Sequence, residues 1–136
     1  MSWSHFQHEA DVGLCGTGAS KARAFEAIAM ALMAAVTDPE SVDCIDTVTI
    51  RCTAPSDEIL LVDWLNAIIY EMSTRKMLFA EFHVDIDDGE LTATAGGEPI
   101  DPSRHELAVE AKGATCTELA VDQADGEWQA RCVVDV

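Results

Sequence analysis

Residues 56–73, SDEILLVDWLNAIIYEMS, form the longest apolar segment of the chain, and any fold it adopts has to bury that segment. Leu61, Trp64, Leu65, Ile68 and Met72 recur at three- and four-residue steps, the period of an α-helix. Ser56 stands where an N-cap hydroxyl accepts a backbone N–H, and Asp57 and Glu58 fall in the first turn, where the helix dipole favours negative charge. Ile59, Leu60, Val62 and Ile69 carry the apolar surface nearly all the way round, which predicts a helix buried on most sides. Asp63, Asn66 and Tyr70 interrupt it as a narrow polar stripe, expected to be a satisfied network inside the core.

The rest of the chain supplies what covers this helix. Residues 20–36 are amphipathic, with Phe25, Ile28, Ala29, Leu32, Met33 and Val36 on one face and Lys21, Arg23 and Glu26 off it, and Pro39 forces an end. Residues 47–54 alternate strictly, Val48, Ile50, Cys52 and Ala54 facing inward, as a half-covered strand requires. Leu78, Ala80, Phe82, Val84 and Ile86 alternate in the same way, Asp88-Gly89 supplies a tight hairpin turn, and Leu91, Ala93 and Ala95 return. Gly96-Gly97-Glu98-Pro99 reads as the break that ends this hairpin.

Shorter extended pieces flank this centre. Residues 3–8 and 12–17 are joined by residues 9–11, residues 107–112 alternate again, and residues 116–121 continue as extended chain. Asp125-Gly126 turns into a last strand with Trp128, Ala130, Cys132, Val134 and Val136 on one side and Gln129, Arg131, Val133 and Asp135 on the other. The expected architecture is a single α+β domain over residues 1–136: two helices, 20–36 and 56–73, packed on one face of a mixed, mainly antiparallel β-sheet.

Charge narrows the function classes. Eight basic against 25 acidic residues give a net charge of −17 with no Lys/Arg-rich run. Direct binding to a nucleic-acid backbone is disfavoured, since neutralising phosphates needs a cationic surface. A cationic protein or a metal ion suits such a field better, with solubility as the plain alternative. No basic-then-apolar leader and no apolar run near the roughly 20 residues of a membrane span appear, which predicts a soluble, cytoplasmic protein. The five cysteines are scattered without a CxxC pair, so neither a disulfide framework nor a zinc site is expected, and Cys52 and Cys132 read as small buried hydrophobes.

Few residues stand out as chemistry. His5 and His8 read as packed or surface histidines. Asp11, between two extended pieces and just before Gly13, is either a turn residue or a carboxylate aimed into a shared cleft. Asp135 and the main-chain carboxylate of Val136 would place two hard oxygen donors within one residue, a pair that suits Ca²⁺, Mg²⁺ or Mn²⁺ over zinc or copper. Glu98, His105 and Glu106 lie in a polar loop with no nucleophile beside them, so loop solvation explains them first.

Five stretches together resemble the archease family: His8-Glu9-Ala10-Asp11-Val12-Gly13; Leu60-Leu61-Val62-Asp63-Trp64-Leu65-Asn66; Gly97-Glu98-Pro99 with His105-Glu106-Leu107; Lys112 before Thr115; and the ending Val133-Val134-Asp135-Val136. The resemblance implies a non-enzymatic activator of an RtcB-type tRNA-splicing RNA ligase, promoting the GTP-dependent guanylylation of that partner and its multiple turnover. It implies a divalent metal held by Asp11, Asp135 and Val136, with Lys112 beside it and Glu98 and His105 contributing to partner contact. The family often has an arginine ahead of the Gly-Glu pair, where this chain has Gly96. A monomer or weak homo-oligomer is expected.

Two other classes remain open at this point. A metal-dependent phosphoesterase would use the same carboxylates with His105 as acid or base, although no second ligand cluster, phosphate-cradling glycine loop or activated nucleophile accompanies them. A general chaperone or scaffold would use only the acidity and small size, and would be indifferent to Asp11→Ala.

Overall fold

Both helices begin at a serine, as their sequences require. Ser20 Oγ accepts the Arg23 N–H at 3.2 Å to open α1 (Lys21–Val36), and Ser56 Oγ accepts the Ile59 N–H at 3.3 Å to open α2 (Asp57–Arg75). α1 stops at Thr37, and the Asp38 side chain caps a short 3-10 turn, Pro39–Ser41. α2 runs two residues beyond the expected end and closes on Lys76 in the left-handed conformation, with the Lys76 N–H on Met72 O.

The computed structural model describes all residues 1–136. Around the helices run eight strands: β1 Ser2–His8, β2 Asp11–Gly18, β3 Asp46–Thr53, β4 Met77–Asp87, β5 Glu90–Pro99, β6 Gly113–Ala114, β7 Ala120–Ala124 and β8 Glu127–Asp135. Every pairing is antiparallel. The α+β class with mainly antiparallel strands is as expected, but the strands divide into two sheets. One has five strands, β1-β2-β8-β6 with β7 also on β8; the other has three, β3-β5-β4.

α1 lies over β1, β2 and β8 and runs along β4, while α2 touches strands of both sheets. One continuous core results, with Trp64, Phe25, Phe79 and Leu14 among its fully buried side chains. Trp64 donates its indole N–H to Phe25 O at 3.0 Å, so the largest buried ring also ties α2 to α1. Gly16 lets β2 approach α1 closely, since a Cβ there would lie 2.4 Å from Ile28 N. No helix is long and apolar enough to cross a membrane.

Three expectations need correction. The polar stripe on α2 is not a core network: Asp63, Asn66 and Tyr70 are all exposed, Tyr70 at 64%. α2 is otherwise buried on most sides, as expected, with Ile59, 46% exposed, on the side left open. β5 does not break at Gly96-Gly97 but runs through to Pro99, because Gly97 permits the approach of the bulged β4; a Cβ would fall 1.9 Å from Leu78 O. Residues 107–112 form no strand, since Ala108 N–H goes to Val36 O and Lys112 N–H to Asp135 O, two different elements that give no common ladder.

Arg23 and Glu26 do a separate job on the outer edge of β4. Glu26, 5% exposed, accepts the Val84 N–H at 2.8 Å, and Arg23 donates to Val84 O at 3.0 Å while pairing with Glu26 at 2.9 Å. Burial pushes the Cys132 thiol up to about 11, in keeping with its role as a small hydrophobe in β8.

Candidate functional site

The register of the five-stranded sheet brings the two sequence-predicted aspartates to one end of it. β2 pairs with β8 as far as Val12 opposite Val134, so Asp11 and Asp135 are the next residues on adjacent antiparallel strands. Gly16 faces α1, so the odd-numbered residues of β2 face the other way, and the pairing puts Asp135 on that same side. Arg131, two alternations along β8, lies over the Phe6 ring at 4.4 Å, which confirms that this face is continuous from β1 to β8. Val136 follows Asp135 directly and is partly buried.

Neither Asp11 nor Asp135 has a cationic side chain within ion-pairing distance. Two carboxylates on neighbouring strands without a counter-charge are hard oxygen donors of the kind that suit Ca²⁺, Mg²⁺ or Mn²⁺. No three His, Cys, Asp or Glu side chains converge well enough to hold an ion by themselves. The fit therefore depends on a main-chain donor joining the two aspartates. His8 stands opposite Asp11 across the β1–β2 hairpin, with its Nδ1 buried and lacking a hydrogen-bond partner.

α2 sets this corner in place through one side chain. Asn66 Oδ1 accepts the Ala114 N–H at 2.8 Å and so fastens α2 to β6, which in turn pairs with β8, Gly113 standing opposite Asp135. Lys112, just before β6, donates its N–H to Asp135 O at 2.8 Å. Its side chain is exposed and makes no ion pair. The strand register and the Lys112 N–H thus set the backbones of Asp11, Asp135, Val136 and Lys112 beside one another. Asn66 was in view in the sequence as part of the polar stripe, but its partner 48 residues away was not.

Glu98 and His105 form a different centre and are not surface contacts: they are 3% and 4% exposed. Glu98 accepts the Asp43 N–H at 2.5 Å, pairs with the Arg104 guanidinium, and meets His105 Nε2 at 3.2 Å. His105 Nδ1 accepts the Asp101 N–H at 2.9 Å, which leaves the ring proton on Nε2, donated to Glu98. The Asp43 amide, followed by Arg104 and His105, holds the Glu98 carboxyl below the usual carboxylate range. With both ring nitrogens engaged inside the protein, His105 has no lone pair to offer a phosphodiester, and the acid–base role weighed for it has no geometric support. The network instead clamps residues 98–105 to the loop before β3. Arg104 was visible in the loop sequence, but nothing local pointed to its pairing with Glu98.

Beside this clamp lies a groove of about 600 Å³ between α2, the start of β4 and residues 100–112. Met72, Met77, Leu107 and Val109 are among its apolar lining, with Lys76 and Lys112 on it as well.

Comparison with known proteins adds a family. The model of the Archease protein family matches residues 3–136. The protein archease of Pyrococcus abyssi is 32% identical over 139 residues, covering 98% of each chain, and that of Sulfolobus acidocaldarius is 32% identical over 133 residues, covering 96% of each. The solution structure of Methanobacterium thermoautotrophicum protein 1598 superposes with a TM-score of 0.88 at 31% identity over 99% of both chains. A Thermotoga maritima structure described as an archease and possible chaperone has a TM-score of 0.65 at 16% identity over 96% of this chain and 94% of its own, a likeness of fold alone.

Proposed function

The chain belongs to the archease family, and on that premise we propose that it acts as a non-enzymatic activator of an RtcB-type tRNA-splicing RNA ligase in the cytoplasm. In this reading it promotes the ligase's GTP-dependent guanylylation and multiple turnover. The observation that carries the reading is the strand register that makes Asp11 and Asp135 neighbours, with Lys112 tied to the Asp135 carbonyl.

Asp11, Asp135 and the main-chain carboxylate of Val136 would hold a divalent cation, Ca²⁺, Mg²⁺ or Mn²⁺. When bound, it neutralises acidic groups that would otherwise repel one another at this corner. The chain's own contribution is placement. β2 and β8 hold the two aspartates on adjacent strands, Asn66 secures the neighbouring β6, and the Lys112 N–H is tied to the Asp135 carbonyl. A net charge of −17 steers the whole toward a cationic cleft such as one that binds a nucleotide, so that electrostatic complementarity sets the association rate and partner choice.

The test is a multiple-turnover RNA ligation assay with the cognate ligase, GTP and Mn²⁺. Asp11→Ala, Asp135→Ala and Lys112→Ala are each expected to reduce stimulation at least tenfold while leaving the circular dichroism spectrum unchanged. Extension of the chain past Val136 is expected to do the same. Undiminished stimulation by Asp11→Ala would instead favour a general chaperone. Hydrolysis of phosphodiesters by the protein alone would favour an enzyme.

A further inference from the structure

Of the eight basic residues, five make ion pairs and three, Arg51, Lys76 and Lys112, make none. In a chain with 25 acidic residues that is unexpected if lysines served only to neutralise the protein's own carboxylates. Lys76 and Lys112 both line the same apolar groove of about 600 Å³. Lys76 is held there by its left-handed backbone at the end of α2 and by the Ile100 N–H on its carbonyl at 2.9 Å; Lys112 is held by its own N–H on Asp135 O at 2.8 Å.

The wall formed by residues 107–112 has a second peculiarity. Leu107, Val109 and Ala111 alternate with more polar residues as in a strand, yet the N–H groups of Leu107, Val109, Glu110 and Ala111 have no acceptor in the chain. Leu107 is 50% exposed. A strand-like sequence with vacant main-chain donors, above a trough floored by Met72 and Met77, is suited to accept a further extended segment.

We infer that this groove docks an extended acidic–apolar peptide segment of a partner protein, its apolar side chains lying in the trough and its carboxylates meeting Lys76 and Lys112. Charge decides among occupants. A basic segment would bring like charges onto both lysines, whereas an acidic one pairs with two ammonium groups that have no other partner. A second copy of this chain is disfavoured because each copy carries −17. Glu110 also lines the groove, so the lining sets two ammonium groups against one carboxylate and stays net positive, while at physiological salt charges beyond the Debye length of about 8 Å are screened.

The experiment is a ¹H–¹⁵N NMR titration of the full chain with two synthetic nine-residue peptides, one of alternating leucine and glutamate and one of alternating leucine and lysine. The leucine–glutamate peptide is expected to shift the amides of residues 72–77 and 107–112. Its Kd is expected to weaken at least tenfold in Lys76→Glu and further in the Lys76→Glu, Lys112→Glu double variant, whose dispersed spectra report an intact fold. Shifts confined to other surfaces, equal or tighter groove binding of the leucine–lysine peptide, or no shift at millimolar peptide would each overturn the inference. So would sedimentation equilibrium showing a dimer that the double variant dissolves, since a second copy would then be the occupant. No ligase is present in this titration, so its failure is distinguishable from a failure of the ligation assay.

Discussion

Glu98 shows how much a single carboxylate can hold. It receives an amide from the loop before β3, a guanidinium from Arg104 and an imidazole N–H from His105, and all three keep it ionised. Its carboxyl is lowered, first by the Asp43 amide, so the stability it contributes is present above the ordinary carboxylate range and is lost as pH falls through the depressed value. Asp101, lowered chiefly by the Ser103 hydroxyl and amide, acts with the same sign. Glu98→Gln is therefore expected to lower the melting temperature at neutral pH and to flatten its fall between pH 5 and pH 3, as read by thermal melts across that range. An unchanged pH profile would assign the acid sensitivity to other carboxylates. A second expectation concerns Cys132, whose thiol sits near 11: it should stay unlabelled by a disulfide reagent in the native protein and react only in denaturant. At this scale the sequence marked Glu98 and His105 as polar and neighbouring, but the amide that matters most comes from 55 residues away, and no local pattern carries that information.

Among the elements, α2 was the most legible, because helical period, N-cap and first-turn acids all agree. Trp64→Ala, which empties the largest fully buried site, is expected to cost about 3–5 kcal/mol in urea unfolding. Ser56→Ala should cost about 1 kcal/mol through loss of the cap alone. On one face of the same helix the expectation fails: the polar stripe suggested a network inside the core, yet Asn66 works at the surface, pinning β6. Residues 107–112 illustrate the limit of alternation as a signal. It tells which side chains share a face, but a strand also needs a neighbouring edge, and here the two ends of the segment are bound to different partners. Conversely, Gly96-Gly97 resembled a break, when glycine was needed for β5 to meet a bulge.

At the level of the whole molecule, strand order was the least readable property, since pairing joins residues far apart, as Val12 and Val134 do. The expectation of one sheet became two, with α2 touching both, and the acidic corner depends on that arrangement because it requires β2 beside β8. The charge of −17 has a consequence of its own: self-repulsion works against the compact state, and added salt relieves it. The melting temperature is expected to rise as sodium chloride goes from about 10 mM to about 500 mM, over which the Debye length shrinks from about 30 Å to under 8 Å; a fall would mean that the ion pairs outweigh the repulsion. The Arg23–Glu26 pair on Val84 bears on how such molecules behave when crowded together. A side chain pair that already occupies the vacant margin of a strand denies a neighbouring copy the template from which fibrils grow, so on that flank this protein stays separate by construction and not by charge alone.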